Sequence, residues 1–108
     1  MELTKRKCKP CEGNVPKLTA TEIMDYQKKL AQPWEEVDEM KIVKTFKFND
    51  YPEVIRFVNR VADLSEEEGH HPVMHVFFSN VNIELWTHAI LGLSENDFIL
   101  AAKIDELY

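Results

Sequence analysis

From Asp50 to Gly69 the sequence writes one long amphipathic helix with both ends marked, and the rest of a 108-residue chain has to be built around it. Asp50 can accept from the first free backbone amides, and Pro52 suits the first turn, where its missing N–H costs nothing. Glu53 meets the positive end of the helix dipole. Val54, Phe57, Val58, Val61, Ala62 and either Leu64 or Ser65 recur at helical spacing, with Arg56, Asn59, Arg60 and Asp63 on the other side. The acidic run Glu66-Glu67-Glu68 stops at Gly69, the residue type best suited to a left-handed cap.

On both sides of this helix the pattern changes to period 2. Trp34–Val37 and Met40–Phe48 are separated by Asp38-Glu39 and read as a hairpin, with Met40, Ile42, Phe46 and Phe48 on one face and Lys41, Thr45 and Lys47 on the other. After Pro72, His75–Asn80 and Val81–Thr87 read as a second hairpin turning at Ser79-Asn80. A first helix is expected over residues 20–31, opened by the capping box of Thr19 and Glu22 and closed before Pro33, with Ile23, Met24, Tyr26 and Leu30 inward. A closing helix follows Ser94, whose partner Asp97 makes an acidic variant of the same box, with Phe98, Ile99, Ala102, Ile104 and Leu107 lining it. The order is helix, two strands, helix, two strands, helix. It predicts an α+β fold, a four-stranded antiparallel sheet with helices on one face.

Residues 1–108 have room for a single domain, and residues 1–17 read as a polar N-terminal arm. A domain of this size buries only about 65% of its unfolded surface. With 44% hydrophobic and 30% charged residues the chain is apolar enough to fold, and its net charge of −6 gives no general attraction to nucleic acid or anionic lipid. No apolar run is long enough for a membrane span, and the first sixteen residues lack the apolar centre of a secretory signal. A cytoplasmic protein with no nucleic-acid or membrane partner is expected. Cys8 and Cys11 form CKPC in the arm. Zinc would want two further ligands and a thioredoxin-like redox pair a βαβ setting, so the expectation is a solvated or loosely packed arm with reduced thiols.

All four histidines fall within GHHPVMHVFFSNVNIELWTH, residues 69–88. His70 and His71 follow the helix cap at a helix-to-strand corner. If the second hairpin doubles back, His88 returns to that corner and three imidazoles converge. Imidazole gives or takes a proton near neutrality, so the cluster suits acid–base chemistry. Adjacent histidines in an extended segment point to opposite faces, which argues against a simple three-histidine metal site. His75 needs no chemical role.

Glu66, then His70-His71-Pro72, Phe78, His88 and Asp97 together resemble the signature of the pterin-4a-carbinolamine dehydratase family. CKPCEGNVPKLTATEI resembles the arm and first helix of its bacterial-type members, and GLSENDFILAAKID its closing helix. The resemblance implies dehydration of 4a-hydroxytetrahydrobiopterin to quinonoid dihydropterin, which recycles the pterin of aromatic amino acid hydroxylases without metal or organic cofactor. It implies His70, His71 and His88 as catalytic residues, with His70 and His88 as the acid–base pair and His71 orienting the pterin. Gly69, Pro72, Trp86, Thr87 and Ala89 would line the substrate site with them. Animal members differ at Gly69, Val73 and Asn96, and their second role as dimerisation cofactor of a homeodomain transcription factor is not expected here. A different pterin as substrate, or a non-catalytic interaction module on the same fold, are the alternative readings. Two sheet edges in so small a domain predict a homodimer or homotetramer, with 77–83 as the pairing strand.

Overall fold

A computed structural model describes residues 2–10 and 16–108; Cys11, half of the CKPC motif, lies outside the described residues. The elements are α1 (Ala20–Gln27), β1 (Glu35–Val37), β2 (Lys41–Lys47), α2 (Tyr51–Glu68), β3 (Val73–Val76), β4 (Asn80–Leu85) and α3 (Glu95–Leu107), with short 3-10 turns at Leu3–Lys5 and His88–Ile90. The four strands form one antiparallel sheet in the order β1-β2-β4-β3. The expected α+β architecture is what the chain adopts.

Strand alternation decides which side chains meet the helices. The pairs Ile42↔Leu85, Lys44↔Ile83 and Phe46↔Val81 share one face, and all of these except Lys44 are buried. Lys44 stays on that face by pairing with Asp105 of α3 at 2.7 Å. Phe46 is the centre of an aromatic cluster, with ring centroids 5.0 Å from Phe57, 5.1 Å from Tyr108 and 5.8 Å from Trp34. The opposite face carries Val43, Thr45, Asn82, Glu84 and His75.

The long helix begins and ends where its residues direct. Asp50 accepts the Glu53 N–H at 2.9 Å, and Gly69 closes α2 in the left-handed conformation at φ 69°. Asp38 and Glu39 both have positive φ and Met40 N–H returns to the Val37 carbonyl at 2.9 Å, the geometry of a tight two-residue hairpin turn. Leu100 and Ala101 are buried along with the expected face of α3, because the 3-10 turn at Leu3 packs on this helix as well as α1 and α2.

Several expectations are corrected. The first helix stops at Gln27 rather than residue 31: its last turn tightens into bonds from Lys29 to Tyr26 and from Leu30 to Gln27, and the Gln27 amide is drawn to the Trp34 carbonyl at 2.6 Å. Met24, Met40 and Ala62 face solvent rather than the core. The second hairpin turns earlier than Ser79-Asn80, with Phe77 N–H bonded to the Asn80 carbonyl at 2.8 Å and Phe78 exposed at its tip. Residues 80–83 therefore lie in a central strand, and the sheet edges are β1 and, beside β4, β3. The arm is not loose either. Leu3 and Cys8 are buried, Cys8 N–H bonds to Glu68 at 2.9 Å, and Arg6 pairs with Glu95 at 2.5 Å. Among the described residues, no helix is long and apolar enough to cross a membrane.

Candidate active site

The site forms where α2 ends. Gly69 reverses the chain, and His70 N–H still reaches back to the Ser65 carbonyl at 3.2 Å, so the imidazole leaves from a fixed point. Its Nε2 lies 2.6 Å from Oδ1 of Asp97, a carboxylate with no solvent exposure. The other oxygen, Oδ2, accepts from the Thr87 hydroxyl at 2.8 Å and from Ser94 N–H at 2.9 Å. The Thr87 and Ser94 hydroxyls lie 2.7 Å apart. Every polar contact of Asp97 on that side is a donor, so it is held as an acceptor facing His70. With Nε2 supplying the hydrogen to Asp97, Nδ1 of His70 keeps its lone pair.

Thr87 is placed by backbone. Beyond β4 it forms an isolated bridge with Gly92, its N–H reaching the Gly92 carbonyl at 2.8 Å. Between them the chain makes the 3-10 turn that carries His88, and Leu91 closes that turn at φ 50°, a left-handed conformation costly for a leucine. A Cβ on Gly92 would lie 2.9 Å from the Lys17 Cβ, so only glycine lets the two segments approach this closely. The His88 ring stacks on Trp86 with centroids 4.5 Å apart and planes 13° apart.

His70, His71 and His88 line one cleft of 350 Å³, the convergence expected from the sequence. Gly69, Trp86, Thr87 and Ala89 also border it, whereas Pro72 does not. His71 turns to Glu66 at 2.5 Å in an exposed pair, so the two adjacent imidazoles part company, each with its own carboxylate. His75 lies away from the cleft on the outer sheet face, 2.7 Å from Glu84. Glu84 also accepts from Lys41 at 2.8 Å; that bond holds its carboxyl below the ordinary value, against partial burial and with help from His75.

Two cleft residues were not anticipated, Lys9 and Asn96. Asn96 accepts the Lys9 N–H at 2.9 Å and donates to the Lys9 carbonyl at 2.6 Å, clamping the arm to the start of α3. Beside the clamp, Cys8 Sγ lies 3.5 Å from the Asn96 carbonyl, and burial followed by the nearby Glu68 charge pushes its thiol up to about 12. Glu68 is itself raised by burial, but the Cys8 N–H and Lys103, at 2.7 Å, outweigh this and hold it below its ordinary value. Asp97 was visible in the sequence as a helix-capping residue and a position of the signature; its contact with His70 was not. Among the described residues, no three His, Cys, Asp or Glu side chains group as a metal cage.

The family model for pterin 4 alpha carbinolamine dehydratase matches residues 16–107. A Nitrosomonas europaea protein provisionally named a pterin-4-alpha-carbinolamine dehydratase is 50% identical over 99% of this chain and 94% of its own. The Arabidopsis thaliana mitochondrial pterin-4-alpha-carbinolamine dehydratase 2 is 43% identical over 98% of this chain and 59% of its own. Among solved structures, a Brucella melitensis transcriptional coactivator/pterin dehydratase superposes with TM-score 0.78 at 29% identity, over 84% of this chain and 97% of that one. A pterin dehydratase-like RuBisCO assembly factor of the alpha-carboxysome superposes with TM-score 0.62 at 32% identity, over 71% and 90%. A match running from the end of the arm to the last turn of α3, taking in every cleft residue except Lys9, means that the chain belongs to the pterin 4 alpha carbinolamine dehydratase family.

Proposed function

We propose that the chain is a hydro-lyase that dehydrates a 4a-hydroxytetrahydropterin. The reaction removes the 4a-hydroxyl, which takes up a proton and leaves as water, and the proton on N5, giving the quinonoid dihydropterin. It therefore needs a donor near C4a and an acceptor near N5. The observation that carries the reading is the His70–Asp97 pair in the same cleft as His88: two imidazoles on separate backbone elements, one backed by a fully buried carboxylate. His70 serves as the base through Nδ1, and Asp97 balances the positive charge the ring gains when it takes a proton. His88, fixed by stacking on Trp86, delivers a proton to the leaving hydroxyl, and His71 hydrogen-bonds and orients the ring. Gly69, Thr87 and Ala89 shape the walls. No metal or organic cofactor enters this scheme. In a cell the activity would recycle the pterin of an aromatic amino acid hydroxylase. Replacing His70 or His88 by Ala should each lower the dehydration rate by about 10²- to 10⁴-fold, the usual contribution of a positioned acid–base group, with His75→Ala near wild type. Equal and negligible losses in folded variants would refute this assignment.

The chain also acts as a homodimer or homotetramer. The β3 edge strand, ending at Val76, which is 42% exposed, leads into a hairpin tip that carries Phe77 and Phe78, 54% and 78% exposed, and a second copy can extend the sheet along that edge. Sedimentation at micromolar concentration should return a multiple of 12.7 kDa, and the monomer mass would refute it. The same edge favours a second reading, an interaction module, given that the Brucella relative is called a coactivator and the carboxysome relative an assembly factor. Full dehydratase activity in the purified protein separates the two.

A further inference from the structure

Lys9 enters the cleft from outside the helix-and-strand framework. Both polar groups of its backbone are engaged by one side chain, Asn96, and the preceding residue is fixed by the bond from Cys8 N–H to Glu68. An exposed arm residue would ordinarily be free to wander; here two hydrogen bonds hold its backbone where the residue borders the cleft. It is the one cleft-lining residue with a permanent charge. The carboxylates nearby are committed elsewhere, Glu66 to His71, Asp97 to His70, and Glu68 to Lys103 and the Cys8 amide. Among the described residues, none pairs with the Lys9 ammonium. Lys41, Lys44 and Lys103, by contrast, each hold a carboxylate within 2.8 Å.

An uncommitted cation whose backbone is clamped at the border of a ligand cleft, on a chain of net charge −6, is placed to meet an anion there. The reacting ring of a carbinolamine carries no formal charge. Its variable part is the side chain attached to the reduced ring. We propose that Lys9 is a specificity-determining residue whose ammonium receives a negatively charged end group, phosphate or carboxylate, on the side chain of the pterin. This rests on the dehydratase reading of the cleft.

The test compares wild type, Lys9→Met and Lys9→Arg on three 4a-carbinolamines that share the ring and differ in side chain: neutral hydroxyalkyl, phosphate-ended and carboxylate-ended. Lys9→Met should raise KM for an anionic substrate about tenfold, the loss expected for one charge-assisted hydrogen bond, while KM for the neutral one stays within about twofold and kcat is unchanged. Lys9→Arg should restore the preference, and whichever anionic substrate shows the loss identifies the end group. Added salt should erode the wild-type preference. A wild type that treats all three alike, or a Lys9→Met loss of equal size on all three, overturns the proposal. If the wild type turns over none of them, the dehydratase reading fails instead. Equilibrium binding of oxidised pterins with the same side chains then decides the role of Lys9 by the same comparison.

Discussion

Replacing Asp97 by Asn changes almost no volume and one chemical property, the number of acceptors the side chain offers. Oδ2 takes two donors, Thr87 O–H and Ser94 N–H, so the amide oxygen must stay on that side. The amide NH₂ then faces Nε2 of His70, where the carboxylate oxygen stood at 2.6 Å. Two donors cannot share that contact. His70 has to move its hydrogen to Nδ1, which turns the nitrogen left for the substrate from an acceptor into a donor. The same tautomer trap in a serine protease triad costs about 10⁴ in kcat, so a loss of about 10³- to 10⁴-fold is expected here. Stability should fall as well. Three hydrogen bonds lose charge assistance at roughly 1 kcal/mol each, and an acidic group in the first turn of α3 contributes up to about 1 kcal/mol through the helix dipole, so about 3–4 kcal/mol is lost. Stopped-flow dehydration on Asp97→Asn, with a urea melt to confirm folding, checks both numbers. A folded variant within tenfold of wild-type kcat would refute the reasoning, since it would show that the His70 tautomer does not matter.

Phe46→Ala removes the hub of the aromatic cluster, and chemical denaturation should show a loss of about 3–5 kcal/mol. Cys8 should resist alkylation at neutral pH in the native protein, because its thiol is buried and pushed up to about 12; peptide mapping after iodoacetamide should find it modified only on unfolding. Glu68 has its folded value depressed below the ordinary 4.5, so the stability it contributes is present above that pH and is lost as pH falls through the folded value. Denaturation midpoints from pH 6 downward should fall less steeply in Glu68→Gln than in wild type.

What could be read from the sequence was local or periodic. Both capping boxes, the 51–68 helix with its Asp50 and Gly69 ends, and the Asp38-Glu39 turn depend on residues a few positions apart, and each formed where expected. The convergence of His70, His71 and His88 followed from a hairpin that returns on itself. Phe77 and Phe78 misled because aromatics favour strands, and nothing local says that a turn will expose them. The arm was the larger surprise. Its anchors join Cys8 to Glu68 and Lys9 to Asn96, 60 and 87 positions away, and a polar N-terminal stretch gives no sign of such partners. Asp97 shows a related difficulty: its capping role is three residues long and legible, whereas its contact with His70 spans 27 positions and needs the fold.

The central claim is that this cleft eliminates water from a pterin carbinolamine. Its most direct test is a stopped-flow measurement of the decay of freshly generated 4a-carbinolamine, with and without the wild-type protein. Catalysis predicts a decay rate that rises in proportion to protein concentration, saturates with substrate, and is unaltered by chelator. A decay identical to the buffer-only rate at every protein concentration, from a folded preparation, would contradict the account.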